Sequence, residues 1–252
     1  MSTLRAKCPD CRTLTAVAFD DEYQCHSCGR EFAAGLVRVR SAFGDGGDAM
    51  KDGAALPLDW PEAAVIDADT LEEQSAAVAA QLPRRPLVLG GCCCAHVGAI
   101  RGLAERHGRL AVVWLDAHGD LNTPETSPSG NEWGMPLRMA IDEGSVRPED
   151  VALVGARSLD PPEVAFMQEH GIDDDVTRAV AGADAVYVAF DVDVLRPGEV
   201  DAFMPEDGGP TVADAEALLR SLPRVAGLGF TALLGSERNV DPLTRLARAA
   251  GL

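Results

Sequence analysis

The stretch Leu110-Ala-Val-Val-Trp-Leu-Asp116-Ala-His118-Gly-Asp120 decides the fold class of this chain. Its first six residues are apolar without polar alternation, which is typical of a strand buried on both faces of a parallel sheet. Three potential metal ligands follow directly, at every second position. Because functional residues of open α/β sheets gather just beyond the carboxyl ends of the strands, the stretch predicts a parallel sheet with a metal site at its edge.

A second apolar run, residues 185–190, ends in Asp191-Val-Asp193. Two carboxylates at a strand end repel each other unless a cation lies between them. Carboxylate-rich ligand sets with some imidazole suit Mn²⁺ and similar ions, and a pair of such ions lowers the pKa of a water between them. Together the two clusters predict a hydrolytic metal centre, whereas either one alone is as well explained by solvated loop acids or helix caps.

Further apolar runs alternate with helical segments along the rest of the chain. Strands are predicted at residues 86–90, 110–115, 151–155, 185–190 and 225–234, and helices at 71–82, 95–107, 135–142, 161–170, 211–222 and 242–250. Asp160 is the predicted N-cap of one helix, Asp69-Thr70 lies at the start of another, and Pro83 ends it. Strand–helix alternation predicts a parallel sheet with helices on both faces.

The N-terminal segment carries paired cysteines, Cys8-x-x-Cys11 and Cys25-x-x-Cys28. This spacing is typical of two knuckles that each offer two thiolates to one tetrahedral zinc. It predicts a zinc-ribbon-like module over residues 1–40 with a structural zinc; the other reading is four unliganded thiols in a tail. A glycine- and aspartate-rich stretch, residues 41–68, is expected to be a linker or entry segment, and residues 69–252 to form the α/β domain.

Composition limits the classes of partner. The formal net charge is -18, from 40 acidic and 22 basic residues, and such a surface repels phosphate backbones and anionic lipids. The mean hydropathy is -0.01, and no apolar run approaches the roughly 18 to 20 residues of a bilayer-spanning helix. With no export-type segment and no disulfide framework, we expect a cytoplasmic protein with a small-molecule substrate and without nucleic-acid or membrane partners.

The run from Asp116 to Pro136, which includes Asn122, Ser129, Asn131 and Trp133, resembles the signature of arginase-type ureohydrolases. Phe190-Asp191-Val-Asp193 resembles a second motif of this family, and Gly90-Gly91 before a helix resembles a first. The similarity to arginases, agmatinases and formimidoylglutamases covers residues 84–252. It implies a three-layer α/β fold with a parallel sheet, here preceded by a small zinc ribbon, and a dinuclear manganese site that hydrolyses guanidino or related C–N bonds.

The resemblance also implies a ligand set. It places metal ligands at Asp116, His118, Asp120, Asp191, Asp193 and, where the family has a histidine, Cys93. In this scheme Asp116 and Asp191 bridge two ions, His118 and Asp193 complete one site, and Asp120 and Cys93 complete the other. A thiolate favours softer ions, so three interpretations of Cys93 stay open. It is a ligand of a dinuclear site whose preference is shifted toward Zn²⁺, Fe²⁺ or Co²⁺, or it weakens one of the two metal sites. Alternatively, it is a buried apolar residue beside a single ion.

Other family positions diverge or are retained. Trp133 stands where the family has a histidine thought to shuttle protons, and Leu234 stands near the expected guanidinium carboxylate, which Glu237 could replace. Glu237 and Asp120 are therefore the catalytic candidates. The resemblance places Asn122 and Ser129 where the family binds a carboxylate, and Asp160 and Glu163 where it binds an α-ammonium. Asn131 is a further substrate-binding candidate. Simple helix capping explains Asp160 and Glu163 equally well.

Two functions remain open on the sequence. The first is a metallohydrolase that cleaves a C–N bond of an amidino, formimino or modified guanidino group in a small amino-acid-like substrate. The second is a catalytically degenerate relative with a binding, regulatory or scaffold role, in which the ribbon docks on a protein partner. In either case a homo-oligomer is expected only by analogy with the family.

Overall fold

The computed structural model describes residues 5–8, 10–19, 22–223 and 225–252; residues 1–4 of the predicted N-terminal module lie outside them. A small antiparallel sheet begins the chain, with strands in sequence order: β1 (Arg5–Ala6), β2 (Ala16–Phe19), β3 (Glu22–Cys25) and β4 (Glu31–Phe32). We call it the ribbon sheet. Tyr23 stacks on Phe32 with ring centroids 5.2 Å apart. Two thiols, Cys8 and Cys25, share this small apolar core, so the sheet agrees with a small ribbon.

A seven-stranded sheet forms the main body. Its strands are β5 (Ala34–Val39), β6 (Glu62–Ile66), β7 (Arg85–Gly90), β8 (Leu110–Leu115), β9 (Val151–Val154), β10 (Ala185–Asp191) and β11 (Val225–Thr231). They lie in the order β6-β5-β7-β11-β10-β8-β9, and every neighbouring pair is parallel. The carboxyl ends of all seven strands therefore meet at one edge.

Helices cover both faces of this sheet. They are α1 (Asp48–Lys51), α2 (Leu71–Gln81), α3 (Ala95–His107), α4 (Pro136–Asp142), α5 (Pro161–His170), α6 (Val176–Val180), α7 (Val212–Ser221) and α8 (Val240–Ala249). One apolar core joins the sheet to α7 and α8, and a second joins its other face to α2, α3, α4 and α5. The predicted three-layer α/β fold is confirmed. Within the described residues, no helix is long and apolar enough to cross a membrane.

The predicted division of the first 68 residues differs from the structure. Strand β5, which was assigned to the N-terminal module, lies inside the main sheet between β6 and β7. Strand β6 lies in the segment that was expected to be a linker. Short strands that follow a ribbon directly look like part of it in sequence. Only the pairing of β5 with β7, and of β6 with β5, assigns them to the main sheet. The α/β body therefore begins at Ala34 rather than at residue 69.

The last predicted strand is shorter than expected. It ends at Thr231, and Ala232 has a left-handed φ of 55°, a backbone conformation that side chains other than glycine rarely adopt. The chain turns there, and Leu233 instead forms an antiparallel bridge with Ala202. Residues after Ala232 are consequently carried away from the strand end, which matters for two of the predicted site residues.

Candidate metal centre

Two acidic clusters lie side by side at the carboxyl edge of the sheet. Strands β8 and β10 are neighbours, with Leu115 opposite Phe190. Asp116 directly follows β8, and Asp191 is the last residue of β10. Each carboxylate also accepts a hydrogen bond from the backbone two residues later, Asp116 from His118 N at 2.7 Å and Asp191 from Asp193 N at 2.9 Å. These local bonds hold both side chains toward the same space.

Five ligand residues form two groups that share Asp116. One group is Cys93, Asp116 and Asp191, the other is Asp116, His118 and Asp193, and the ligand atoms of each group lie within 4.8 Å of one another. His118 Nδ1 lies 3.0 Å from an oxygen of Asp193, and Cys93 Sγ donates a 2.7 Å hydrogen bond to Asp191 Oδ2. A shared carboxylate between two such groups is the arrangement expected of a two-ion site.

The electrostatics of the groups favour a bound cation. Burial, and then the charge of Asp193, raise the pKa of Asp116 to about 6, and burial with neighbouring carboxylates raises the pKa of Asp191 well above its usual value. Burial lowers the pKa of His118, but hydrogen bonds and charges from Asp116 and Asp193 outweigh it and raise that pKa to about 12. Without a metal, bound protons reduce the repulsion among these carboxylates, and divalent cations would reduce it in their place.

Asp120 supplies a direct test of whether the site fits a metal. Its side chain is buried, and among the described residues its Oδ2 has no hydrogen-bond partner. Its backbone has a φ of 52°, a conformation that costs about 1 to 3 kcal/mol in a residue other than glycine. An unpaired buried carboxylate oxygen beside two ligand groups calls for a partner that a cation would supply, so the donor set fits divalent ions.

A cavity of about 320 Å³ opens above the two groups. Its lining includes the carboxylates of Asp160 and Glu206 and the apolar side chains of Met50, Trp133 and Phe203. Glu206 Oε1 lies 3.6 Å from His118 Nε2. No lysine or arginine is among the described residues that line the cavity. The site is thus open, acidic at the metal groups and partly apolar in its lining.

The four N-terminal cysteines form a separate cluster in the ribbon sheet. Cys8 Sγ lies 3.5 Å from Cys28 Sγ, Cys11 Sγ lies 3.5 Å from Cys25 Sγ, and all four sulfurs lie within 4.8 Å of one another. A hydrogen bond from the Thr15 hydroxyl is the main cause that lowers the pKa of Cys25 to about 5. Four convergent sulfurs are the donor set of a structural zinc.

Comparison with known proteins assigns the α/β body. The sequence profile described as "Arginase family" matches residues 25–232, which is more than half of the 252 residues. The chain belongs to the arginase family. A curated relative, the arginase of Bacillus caldovelox, is 34% identical over 187 residues, which cover 62% of this chain and 62% of that protein.

Other relatives agree with this family assignment. The arginase of Staphylococcus aureus (strain COL) is 34% identical over 163 residues, 54% of each protein, so the chain spans between about half and two thirds of these relatives' length. The solved arginase from Bacillus caldovelox superposes with a TM-score of 0.71 at 25% identity, covering 86% of this chain and 97% of that one. Formimidoylglutamase from Bacillus subtilis, at 17% identity, shares the fold, with a TM-score of 0.69 and 86% of each chain covered.

The arginase-family site brings together most of the predicted ligands. Cys93, Asp116, His118, Asp191 and Asp193 converge, and Asp116 lies in both groups as expected of a bridge. Asp191 lies in the Cys93 group alone, so its role as a second bridge stays a prediction. Asp120 lines the cavity but lies outside both groups, so its assignment as a ligand also stays a prediction.

Three residues that the sequence analysis singled out lie outside the cavity. Glu237 is exposed in a short 3-10 helix and is not among the cavity-lining residues, because the chain turns away at Ala232. Leu234 lies outside the cavity for the same reason, and Thr231 occupies the strand end instead. Asn131 does not line the cavity either: its Oδ1 accepts a 2.9 Å hydrogen bond from the backbone N–H of Asp45, so it holds a surface loop.

The remaining substrate-binding candidates line the cavity but are already engaged. Asn122 donates to Asp160 Oδ2 at 2.9 Å and accepts from the Thr126 hydroxyl at 2.9 Å. Glu163 accepts from the backbone of Leu121 at 3.0 Å and of Asp160 at 2.9 Å, so with Asp160 it forms the capping box of α5. Ser129 is exposed and bonds to its own loop. Capping therefore explains Glu163, and its substrate role stays a prediction.

Sequence reasoning missed several residues around the metal groups. Thr231 Oγ1 lies 3.4 Å from Cys93 Sγ, and the buried His96 contacts Thr231. Glu206 lies beside His118. The end of β11 was the available signal for Thr231, because a strand end beside two ligand-bearing strands belongs to the same edge. No local pattern marks Glu206, since it lies in a loop far along the chain.

Proposed function

We propose that this arginase-family chain is a metal-dependent hydrolase of C–N bonds that acts on an amidino, formimino or modified guanidino group of a small amino-acid-like substrate. One observation carries the proposal: two ligand groups that share Asp116 lie on the floor of an open cavity. A structural metal site is closed by four protein ligands, whereas a catalytic one keeps positions open. The relatives, among them an arginase and a formimidoylglutamase, carry names that indicate the same bond type.

The residues present define which ions fit. Asp116, His118 and Asp193 form a hard, oxygen-rich group suited to Mn²⁺, while Cys93 makes the other group suited to Zn²⁺, Fe²⁺ or Co²⁺. Bound there, divalent ions supply Lewis acidity and lower the pKa of a neighbouring water. Asp120, buried with a free oxygen, is placed to accept a proton or to complete the coordination of the second ion.

The walls of the cavity favour a cationic substrate. Asp160 and Glu206 line it without any described lysine or arginine to offset them, so the field inside attracts amidinium and ammonium groups. Met50, Trp133 and Phe203 offer an apolar surface on which an alkyl linker packs. Because the amide of Asn122 is engaged with Asp160, we expect a substrate carboxylate to contact Ser129 and the loop around it.

A second candidate function is a degenerate relative that binds or regulates. Trp133 packs edge-on against Phe203, with ring centroids 5.7 Å apart, where the family resemblance implies a histidine, and indole does no acid–base work. Leu14 and Phe19 of the ribbon sheet are 60% and 73% exposed. Exposed apolar side chains on a small module favour docking to a protein partner or to a second copy of the chain.

Activity measurements separate the two functions. The full chain, reconstituted separately with Mn²⁺, Co²⁺ and Zn²⁺, is assayed for release of urea, formamide or ammonia from a panel of guanidino, amidino and formimino compounds. Release that disappears in Asp116→Asn and persists in the surface control Asp142→Asn supports catalysis. Elemental analysis that finds the ribbon zinc alone, with no product from any compound, supports the degenerate role and overturns the hydrolase proposal.

A further inference from the structure

A chain of buried hydrogen bonds leads from the interior of the sheet to the Cys93 sulfur. Tyr187 OH lies 2.8 Å from His96 Nδ1, and His96 Nε2 lies 3.1 Å from Thr231 Oγ1. Thr231 Oγ1 in turn lies 3.4 Å from Cys93 Sγ. Tyr187, His96 and Thr231 are all fully buried.

The direction of these bonds follows from counting hydrogens. Among the described residues, His96 is the hydrogen-bond partner of the Tyr187 hydroxyl. A buried hydroxyl that kept its hydrogen unpaired would lose the free energy of a hydrogen bond, so Tyr187 donates and His96 Nδ1 accepts. Burial lowers the pKa of His96 to about 3, and the neutral ring then carries its hydrogen on Nε2.

The hydrogen on His96 Nε2 fixes the direction of the remaining hydrogen bonds in the series. His96 Nε2–H donates to Thr231 Oγ1, and the single hydrogen of the Thr231 hydroxyl is free to donate onward. Among the described residues, the other hydrogen-bond partner of this hydroxyl is Cys93 Sγ, at 3.4 Å. The sulfur thereby receives a hydrogen bond from the protein interior while its other side faces Asp116 and Asp191.

The residues packed around His96 leave just enough space for its ring and the Tyr187 hydroxyl. A Cβ added at Gly229 would lie 2.4 Å from Tyr187 OH and 2.8 Å from His96 Cε1, so the glycine on β11 leaves room for this pair. The His96 ring also meets Trp114 edge-on, at 5.1 Å between centroids. Trp114 Nε1 donates to Asp116 Oδ2 at 3.0 Å, so the same buried layer orients the shared carboxylate.

We propose that Tyr187, His96 and Thr231 form a positioning relay that holds the Cys93 sulfur as a hydrogen-bond acceptor within its ligand group and so directs that group toward a soft ion such as Zn²⁺ or Co²⁺. The inference rests on the proposed function, because it requires a metal at the group of Cys93, Asp116 and Asp191. Hydrogen bonds to a ligand that come from behind it fix its orientation and tune the metal. The relay residues are positioning residues and do not touch the substrate.

Cobalt absorption tests the relay without any assay of activity. The full chain is first loaded with zinc in the ribbon and then titrated with Co²⁺. The difference between wild type and Cys93→Ser isolates the sulfur-to-cobalt charge-transfer band of Cys93, because both proteins contain the same ribbon. A hydrogen bond lowers the energy of the sulfur lone pair, so its removal moves this band to longer wavelength.

Three variants give the expected series. Thr231→Val keeps the shape of the side chain and removes the hydroxyl, so the band shifts to longer wavelength and Co²⁺ affinity falls by about 10-fold, the lower range for outer partners of a ligand. Thr231→Ser keeps the hydroxyl and restores the wild-type band. Tyr187→Phe frees His96 to reverse its bonds and gives a smaller shift in the same direction. Circular dichroism of each variant before cobalt is added checks that the sheet is folded.

The two failures are distinguishable. If Cys93→Ser removes the band but Thr231→Val leaves its wavelength and the Co²⁺ affinity unchanged, the relay is overturned and the proposed metal centre stands. If Cys93→Ser leaves the cobalt spectrum unchanged, Cys93 is not a ligand, and the relay is overturned together with that half of the proposed centre. A band that shifts in Thr231→Val and returns in Thr231→Ser supports the relay.

Discussion

The ribbon sheet and the carboxyl edge of the main sheet each gather metal ligands, but they do so in opposite ways. The ribbon collects four sulfurs from two short loops, Cys8 to Cys11 and Cys25 to Cys28, within one small antiparallel sheet. The edge collects sulfur, imidazole and carboxylates from the ends of β7, β8 and β10, with a cavity above them. Identical ligands on all sides close a site, whereas mixed ligands below a cavity leave it open for chemistry.

The two clusters also differ in what holds their ligands. Ribbon sulfurs are placed by turns close in sequence, so their geometry depends on the ion that they share. Edge ligands are placed by buried strands and by buried side chains such as Trp114 and Thr231. We therefore expect ion removal to unfold the ribbon locally and to leave the edge in place, and four predictions follow, from the largest expected effect to the smallest.

Asp116→Asn breaks the open centre most severely, since Asp116 lies in both ligand groups. Loss of an outer partner of a ligand already costs about 10- to 100-fold, so we expect turnover to fall by more than about 100-fold. Metal analysis should show that the edge ions are lost and the ribbon zinc is retained. A variant with full metal content and normal turnover would contradict the shared-ligand arrangement; Asp142→Asn, at an exposed ion pair with Arg138, is the control.

Cys93→His replaces the sulfur ligand at the edge with an imidazole and so tests whether the sulfur sets the metal preference. The side chain lines the cavity, so an imidazole can extend into it, and a harder ligand set favours Mn²⁺. We expect the affinity for Mn²⁺ relative to Zn²⁺ to rise by about 10-fold, comparable to other changes around a metal ligand. Competition titration measures it, with Cys93→Ser as the matched control. Unchanged selectivity would show that the sulfur does not contact the ion.

Cys25→Ser breaks only the closed cluster. A structural zinc contributes about 10 to 16 kcal/mol of folding free energy in small zinc modules, so loss of one sulfur should release zinc and expose the ribbon sheet to proteolysis. Turnover at the edge should stay at the wild-type level, because none of the described residues that line the cavity comes from the ribbon. His26→Ala, at an exposed neighbour, should keep the zinc. Equal loss of activity and zinc in Cys25→Ser would show that the two regions are coupled.

The stability of the metal-free protein should depend on pH through the ligand groups at the edge of the sheet. The pKa of Asp116 is raised from 3.8 to about 6, so its stabilisation is fully present below pH 3.8 and is lost as the pH rises through 6. His118, whose pKa is raised from 6.5 to about 12, acts with the same sign at higher pH. Thermal unfolding of metal-free protein should therefore occur at lower temperature at pH 7 than at pH 5, by about 2 to 4 °C for each kcal/mol lost.

Saturating divalent metal should abolish most of this pH dependence, since the ion replaces the protons. Asp116→Asn, which cannot ionise at that position, should show a smaller slope without metal. A melting temperature of the metal-free wild type that rises between pH 5 and pH 7 would be inconsistent with the raised carboxylate pKa values.

The ligand-bearing strands could be predicted well because their signal is local. Six apolar residues before Asp116, and a similar run before Asp191, indicate buried parallel strands whatever surrounds them. The cysteine spacing of the ribbon is equally local, as is Asp160 as the cap of α5. Backbone hydrogen bonding and burial act within a few residues in each of these cases, so the pattern alone carries the information.

Strand order and distant contacts came only from the tertiary structure. β11 lies between β7 and β10 although it is the last strand in sequence, and this order brings Thr231 against Cys93. The turn at Ala232 then carries Glu237 to the surface. β5 belongs to the main sheet only through its pairing with β7, and β6 only through its pairing with β5. The amino-acid sequence by itself determined which strands carry ligands; which side chains stand behind those ligands was decided by packing, because long-range contacts depend on the whole sheet rather than on any local pattern.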